Sequence, residues 1–203
     1  MTINEYERWE SRFADPDYIF GTAPNTFLAG RKHLLPKQGR ALAIADGEGR
    51  NGVWLAEQGL DVLAFDFSPT AQAKAQALAR SRGVTITTRL LQVADYEWPP
   101  DAFDVVADIF TQFSDPAERA GKFAGIRRTL KPGGLLLLQG YRPEQIAYGS
   151  GGPKAPENMY TRALLEREFA AFERIEIAEY DIEMREGSAH SGMSAVIDLV
   201  GRK

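Results

Sequence analysis

Between Ala45 and Gly52 the chain reads Ala-Asp-Gly-Glu-Gly-Arg-Asn-Gly. Glycines that follow an apolar run and open a helical pattern let backbone N–H groups approach a ligand at a helix N-terminus, because no Cβ stands in the way. The loop is therefore the first candidate binding site. Asp66 closes the next apolar run, the position from which a carboxylate accepts both hydroxyls of a ribose, and Phe67 beside it offers a ring face to the base. Gly47-x-Gly49-x-x-Gly52 with an acid further on also satisfies the dinucleotide fingerprint, so the spacing leaves a nicotinamide cofactor and another adenosine ligand both open. A nicotinamide oxidoreductase needs a hydride-transfer site as well. The chain has no Tyr-x-x-x-Lys pair and no room for a second substrate domain.

Fewer residues offer acid–base chemistry. His190 stands between Gly187 and Gly192 in a hairpin that can fold over the carboxyl ends of the strands, and its near-neutral pKa makes it the one candidate base. The plainer alternative is a solvated loop histidine. Tyr141, Arg142 and Gln112 fall at carboxyl ends of strands, where open α/β sheets bind ligands. Arg142 reads equally well as a surface ion pair worth about 0–1 kcal/mol, and Tyr141 as a half-buried ring. Trp9, Phe13, Tyr18, Phe20 and Phe27 crowd the N-terminal segment with Arg12 among them. These rings either roof a flat ligand or dock helices on the sheet, and Arg12 has the reach to meet a carboxylate.

The elements that must carry these residues alternate regularly. Arg40 to Ala45 reads as a strand, Asn51 to Gln58 as a helix closed by Gly59, and Asp61 to Phe65 as a second strand. Ser68-Pro69 then supplies an N-cap and first turn for an Ala-rich helix that stops at Gly83. Val84 to Val93 and Phe103 to Phe110 are near-continuous strand formers, and both are expected to be central. Ser114-Asp115-Pro116 starts a helix, and Lys131-Pro-Gly-Gly134 is expected to break it before a strand over 135–138. A Gly/Pro-rich stretch, 141–160, reads as a lid or rim. A helix near Thr161 precedes strands over 173–184 and 192–200, and their short join makes them antiparallel. The pattern predicts an α/β fold, a seven-stranded, mostly parallel sheet with an antiparallel last strand and helices on both faces. We expect a single domain over 1–203, with an N-terminal helical cap over 1–36 and a core over 37–203 that carries the lid loop.

Composition narrows the function classes. The chain has 203 residues, 44% hydrophobic, with 24 Lys+Arg against 28 Asp+Glu and a net charge of −4. That balance provides no basic field for a nucleic-acid backbone. With no cysteine and two distant histidines, no metal site is expected. No apolar run approaches the roughly 18 residues of a bilayer span, and no secretory leader is recognisable. The expected protein is cytoplasmic, a monomer or homodimer, with a small-molecule partner, no nucleic acid and no membrane.

The sequence resembles the small class I S-adenosylmethionine-dependent methyltransferases, in the branch that includes tellurite-resistance and thiopurine methyltransferase-like proteins. The resemblance covers nearly the whole chain. It rests on Trp9-Glu-Ser-Arg-Phe13, Gly21-Thr-Ala-Pro-Asn25, Asp46-Gly-Glu-Gly-Arg-Asn51, Phe65-Asp66-Phe-Ser68, Val93-Ala-Asp95-Tyr96, Leu130-Lys-Pro-Gly-Gly134, Gly151-Gly-Pro-Lys154 and Glu186-Gly-Ser-Ala-His190-Ser-Gly192. It implies a Rossmann-like fold and S-adenosylmethionine as cofactor, with S-adenosylhomocysteine as product. It further implies that Asp46, Gly47, Glu48, Gly49 and Arg50 lie against the methionine part and that Asp66 holds the ribose. Asp95 would face the adenine amino group between Phe67 and Tyr96, and Ile109 and Phe110 would line the methionine side near the acceptor. One departure stands out: Ala43 and Ala45 occupy the family's usual first acid and first glycine, with Asp46 one step later. A non-catalytic protein that holds the same cofactor as a sensor or accessory subunit is the competing class.

Overall fold

The computed structural model describes residues 3–203, with side chains from residue 5 onward. Two helices precede the sheet, α1 (Ile3–Phe13) and α2 (Thr26–Gly30). Strands and helices then alternate as β1 (Arg40–Ile44), α3 (Arg50–Glu57), β2 (Asp61–Asp66), α4 (Pro69–Ser81), β3 (Thr87–Leu90), β4 (Phe103–Ile109), α5 (Pro116–Thr129) and β5 (Leu130–Tyr141). Short helices α6 (Gln145–Tyr148) and α7 (Arg162–Glu168) lead to the hairpin of β6 (Arg174–Glu186) and β7 (His190–Arg202). Across the sheet the order is β3-β2-β1-β4-β5-β7-β6. Neighbours are parallel except where β7 meets β5 and β6. This is the expected seven-stranded, mostly parallel sheet with its last strand reversed and helices on both faces, an open Rossmann-like α/β fold.

Side chains alternate between the two faces of each strand, and both faces are apolar because helices cover both. Leu42, Ile44, Phe65, Val106, Leu136 and Leu138 join Phe123 and Ile126 of α5 and Leu165 of α7 in one core. Ala41, Val62, Val105, Leu135 and Leu137 join Val53 and Leu55 of α3, Ala75 and Leu78 of α4, and Leu28 of α2 in the other. Local signals set the helix starts. Ser68, Asp115 and Thr161 cap α4, α5 and α7 through their side-chain oxygens, and Pro follows the first two caps.

The structure corrects two expectations. β3 is an edge strand of four mostly exposed residues rather than a central one. Its Thr-rich composition suits a half-exposed strand as well as a buried one, so residue type alone could not place it. Lys131-Pro-Gly-Gly134 is not a turn before β5 but its first part. β4 pairs Phe103 with Leu130 and then Val105 with Leu135, so these residues bulge out of register between two paired positions. The 141–160 stretch contains α6 and a single 3-10 turn (Pro156–Asn158), and both its ends are buried, with the Tyr160 N–H donating to the Tyr141 carbonyl at 3.0 Å.

β1 and β4 are neighbours in the sheet although the chain leaves β1 toward β2, so the crevice between their carboxyl ends is a topological switch point. The end of β4 is held from beneath. Lys122 of α5 and Asp108 are both fully buried and 3.0 Å apart, and Lys122 Nζ also donates to the Tyr160 hydroxyl at 2.9 Å. Burial opposes the Lys122 charge, but Asp108 and Tyr160 outweigh it and hold its pKa above the ordinary value.

Gly49 shows how tightly α3 and α4 meet. It sits at φ +89°, and a Cβ there would lie 2.5 Å from Ala75 Cβ. Left-handed strain and overpacking each cost about 1–3 kcal/mol. Gly49→Ala is therefore expected to lower unfolding stability by roughly 2–4 kcal/mol in urea denaturation, and an unchanged midpoint would contradict this packing.

Candidate functional site

A cavity of about 730 Å³, its mouth included, opens at the switch point. Its floor is the carboxyl end of the sheet: Ile44, Ala45 and Asp46 after β1, Asp66 and Phe67 after β2, and Ala107, Ile109 and Phe110 of β4. Trp9 and Phe13 of α1 and Phe20 form its roof, and Arg50, Asn51 and His190 close one side. A second cavity of about 1140 Å³ shares Trp9, Ala45, Phe67 and Phe113 with it and runs along Leu91–Ala94. Such volumes suit ligands of cofactor size.

The glycine loop folds around two carboxylates. Asp66 is 5% exposed, and its Oδ2 and Oδ1 accept the N–H groups of Gly47 and Ser68, each at 3.0 Å. Asp46 Oδ2 accepts the Gly52 N–H at 2.9 Å. Burial pushes the Asp46 carboxyl up to about 7, with the Asp66 charge adding and the Gly52 N–H and Arg50 opposing. Burial likewise pushes Asp66 up to about 6 against the N–H donors that favour its charge. The departure at Ala45 is visible in the backbone. It adopts φ +44°, where an L-residue costs roughly 1–2 kcal/mol relative to a relaxed one. Phe110, at the end of β4, is also left-handed at φ +56°. Non-glycine residues held this way gather at ligand sites.

His190 reaches the cavity through an ion-pair network. Arg50 Nη1 lies 2.7 Å from Glu186 Oε2, both side chains being less than a tenth exposed. Glu186 Oε1 accepts the N–H and hydroxyl of Thr26 at 2.9 and 2.6 Å, and Asn25 Nδ2 donates to both oxygens at 3.2 and 3.3 Å. Burial pushes Glu186 up, but His190, Arg50 and Thr26 outweigh it and hold the carboxyl well below the usual range. The His190 ring meets Phe20 and Phe110, each at 4.6 Å between centroids. Burial lowers the His190 pKa, with the Arg50 and Arg12 charges adding and Glu186 opposing, so the free imidazole is neutral at pH 7.

Of the sequence-derived site residues, Asp46, Gly47, Arg50, Asp66, Phe67, Ile109, Phe110 and His190 meet at this cavity. Others are elsewhere. Glu48 is 2% exposed and points away to Lys74 Nζ at 2.7 Å, because that cation also gathers the carbonyls of Asp15 and Asp17. Gly49 serves the α3–α4 contact. Tyr96 stacks on Phe65 at 4.8 Å inside the core and lines neither cavity. Asp95 is exposed, at the end of the 3-10 turn (Val93–Asp95) whose first two residues line the second cavity. Arg12 lies exposed over the Trp9 ring. Tyr141 is buried behind Phe110, and its hydroxyl has no partner. Arg142 is tied to Asp181 and Glu144. Gln112 donates to the Tyr141 carbonyl and accepts its N–H, mimicking a strand partner. Of the five N-terminal rings, Trp9, Phe13 and Phe20 roof the cavity while Phe27 of α2 and Tyr18 join the core cluster with α3 and α4. Sequence reasoning missed Asn51, Phe113 and Glu186. Glu186 alone had a usable signal, its spacing of four residues before His190. Among the described residues no group of three or more His, Asp or Glu could hold a metal ion.

Residues 41–134 match the family model described as a methyltransferase domain. The chain is 27% identical over 115 residues to YqeM of Bacillus subtilis (strain 168), whose name describes a methyltransferase. That match covers 56% of this chain and 47% of YqeM, so the chain spans about half the length of this curated relative. Among solved structures it is similar to a SAM-dependent methyltransferase from Methanosarcina mazei, with a TM-score of 0.69, 19% identity, and 89% and 98% of the two chains covered. It is likewise similar to the N-methyltransferase NodS from Bradyrhizobium japonicum WM9, with a TM-score of 0.67, 15% identity, and 100% and 99% covered. These likenesses establish the fold, and the domain match supports a methyltransferase.

The raised carboxyl pKa values fix the sign of a stability effect. Asp46 is neutral in the folded chain up to about pH 7, above its unfolded value of 3.8. Its contribution to stability is complete below pH 4 and is lost as pH rises to 7. Asp46→Asn removes the charge and keeps an acceptor for Gly52. At pH 8 it is expected to stabilise the unliganded protein by about 1–2 kcal/mol, allowing for solvent in the cavity, and to do nothing below pH 4. Chemical denaturation at the two pH values checks both halves.

Proposed function

We propose that the chain is an S-adenosylmethionine-dependent methyltransferase acting on a small molecule. The observation that carries the reading is the pairing of Asp46 and Asp66 with the aromatic walls of one switch-point cavity. A sulfonium that also bears an ammonium group is cationic, and both carboxylates and ring faces attract it. A pyrophosphate is the wrong partner there. The Gly47 N–H already serves Asp66 and Arg50 is engaged by Glu186, which disfavours a nicotinamide dinucleotide. The methyltransferase-domain match over residues 41–134 supports the same reading.

In this reading Asp66 receives the ribose hydroxyls from the ligand, and Phe67 with the Leu91–Ala94 wall takes the adenine, Asp95 meeting its edge. Asp46, Gly47 and Arg50 face the amino-acid end, and Ile109 and Phe110 bound the methyl. When bound, the cofactor supplies a methyl carbon already activated for in-line displacement. Positioning therefore accounts for much of the rate, and a base is needed only for a protonated acceptor. His190, neutral at pH 7, is that base. The motif resemblance points to the tellurite-resistance and thiopurine branch and so nominates the first acceptors to try. Among the described residues no helix is long and apolar enough to cross a membrane. One observation favours the non-catalytic reading: Tyr141 is buried behind Phe110 and Arg142 is engaged by Asp181 and Glu144, which leaves His190 unassisted by them.

Calorimetric titration is expected to show S-adenosylhomocysteine binding that weakens as pH falls from 8 to 5.5 and the two carboxyls protonate. Absence of binding at millimolar ligand would overturn the proposal. Asp66→Ala is expected to raise the dissociation constant roughly 10- to 100-fold, the loss of charge-assisted hydrogen bonds worth about 1.5–3 kcal/mol. A panel of thiols, amines, catechols, tellurite and selenite, read by S-adenosylhomocysteine release, separates enzyme from sensor.

A further inference from the structure

We propose that Glu186 is a positioning residue that fixes the proton of His190 on Nδ1 and leaves Nε2 as the basic atom at the cavity. The use of that base rests on the methyltransferase reading, but the arrangement itself is visible in the polar contacts. His190 Nδ1 is buried and has no hydrogen-bond partner. Glu186 Oε2 is 3.9 Å from it, longer than a hydrogen bond and well within the range of a charge. The ring as a whole is 11% exposed and lines the cavity, so its open edge is the one that carries Nε2.

Every other neighbour of Glu186 donates to it. Thr26 supplies an N–H and a hydroxyl, Asn25 an amide and Arg50 a guanidinium. A carboxylate so surrounded has no proton to offer, and a lone pair on Nδ1 would face its negative oxygen. Only Nδ1–H is compatible with it, the same logic by which an acid sets the tautomer of a catalytic histidine. The charged and titratable groups around the ring are Glu186, Arg50, Arg12 and the protonated Tyr141. The two cations and burial keep the free imidazole neutral, while Glu186 favours the imidazolium once it forms.

The proton balance follows. The acceptor's X–H proton passes to Nε2 as the electron pair of X forms the bond to the methyl carbon, and the sulfur keeps the pair of the broken C–S bond. The positive charge thus moves from sulfonium to imidazolium, 3.9 Å from the Glu186 carboxylate, and Nε2 later releases its proton to water.

The chain has two histidines, His33 and His190, so long-range proton–nitrogen correlation NMR of ¹⁵N-histidine-labelled protein reads the tautomer directly, with His33→Gln supplying the assignment. Wild-type protein at pH 7.5 is expected to show Nδ1 protonated and Nε2 bare. An Nε2–H tautomer would overturn the proposal without any variant. In Glu186→Gln the negative charge facing Nδ1 is gone, and a neutral histidine free of that constraint favours Nε2–H. The tautomer is then expected to invert and the His190 pKa to fall by about 1 unit or more, with circular dichroism confirming the fold. If the tautomer and pKa of the folded variant stay as in wild type, Glu186 does not set them. A wild-type protein that shows Nδ1–H yet binds no S-adenosylhomocysteine would support the positioning role while overturning the methyltransferase reading, so the two fail separately.

Discussion

The contact between Arg50 and Glu186 joins parts of the chain that the sequence keeps far apart. Arg50 opens α3 directly behind the glycine loop, Glu186 ends β6, and Asn25 and Thr26 bring the α2 entrance onto the same carboxylate. Two nearly buried charges lose several kcal/mol of hydration each, which their attraction offsets only when the remaining lone pairs and protons are also satisfied. Here they are. Glu186 collects donors from Thr26, Asn25 and Arg50, and Arg50 spans the remaining gap to the Phe20 carbonyl at 3.4 Å. The roof ring Phe20, the loop and the hairpin histidine are thereby positioned by one electrostatic node, and removing either partner would leave an uncompensated charge where water is scarce.

The cavity floor obeys a different constraint. Two carboxylates lie close enough for the Asp66 charge to raise Asp46 further, and both are pushed toward neutrality by burial. Such an arrangement lowers the stability of the empty protein at neutral pH. A positively charged occupant would relieve that repulsion. Ala45 and Phe110, both held in the left-handed region at the rims of β1 and β4, add to this stored strain. Beneath them the Lys122–Asp108–Tyr160 cluster supplies rigid support for β4.

Much of this was legible in the letters. The alternation of apolar runs with helix starts such as Ser68-Pro69 and Asp115-Pro116 made the succession of elements readable, because a strand covered on two faces is apolar throughout and a capping oxygen satisfies a helix's first N–H groups. Asp66 was legible for the same topological reason: a strand's carboxyl end at a switch point is where ligands meet the sheet. Tyr96 was not, since one turn of 3-10 helix rotates its ring into the core rather than toward Phe67. Glu48 failed for a comparable reason, its neighbour Lys74 being 26 residues away in sequence. Arg142 satisfied the cautious reading, an ion pair. The edge position of β3 and the bulge at Lys131–Gly134 depend on pairing partners, which composition does not encode. Glu186 was passed over because an acid in a hairpin ordinarily belongs to solvent, and its spacing from His190 gains weight only beside the folded contact with Arg50 and Asn25.

The turn at Gly187 is seated on the backbone of Ile19 and Phe20, where a Cβ would come within 2.4 Å of the Ile19 carbonyl oxygen, and the Ala189 N–H donates to that same oxygen at 2.9 Å. On its other side, the leading segment is gripped by Lys74 through two carbonyls. The hairpin turn and Lys74 therefore hold the same span of peptide from two sides. One methyl at position 187 would thus have to displace the backbone of Ile19 to Gly21, the same stretch that carries the roof ring Phe20.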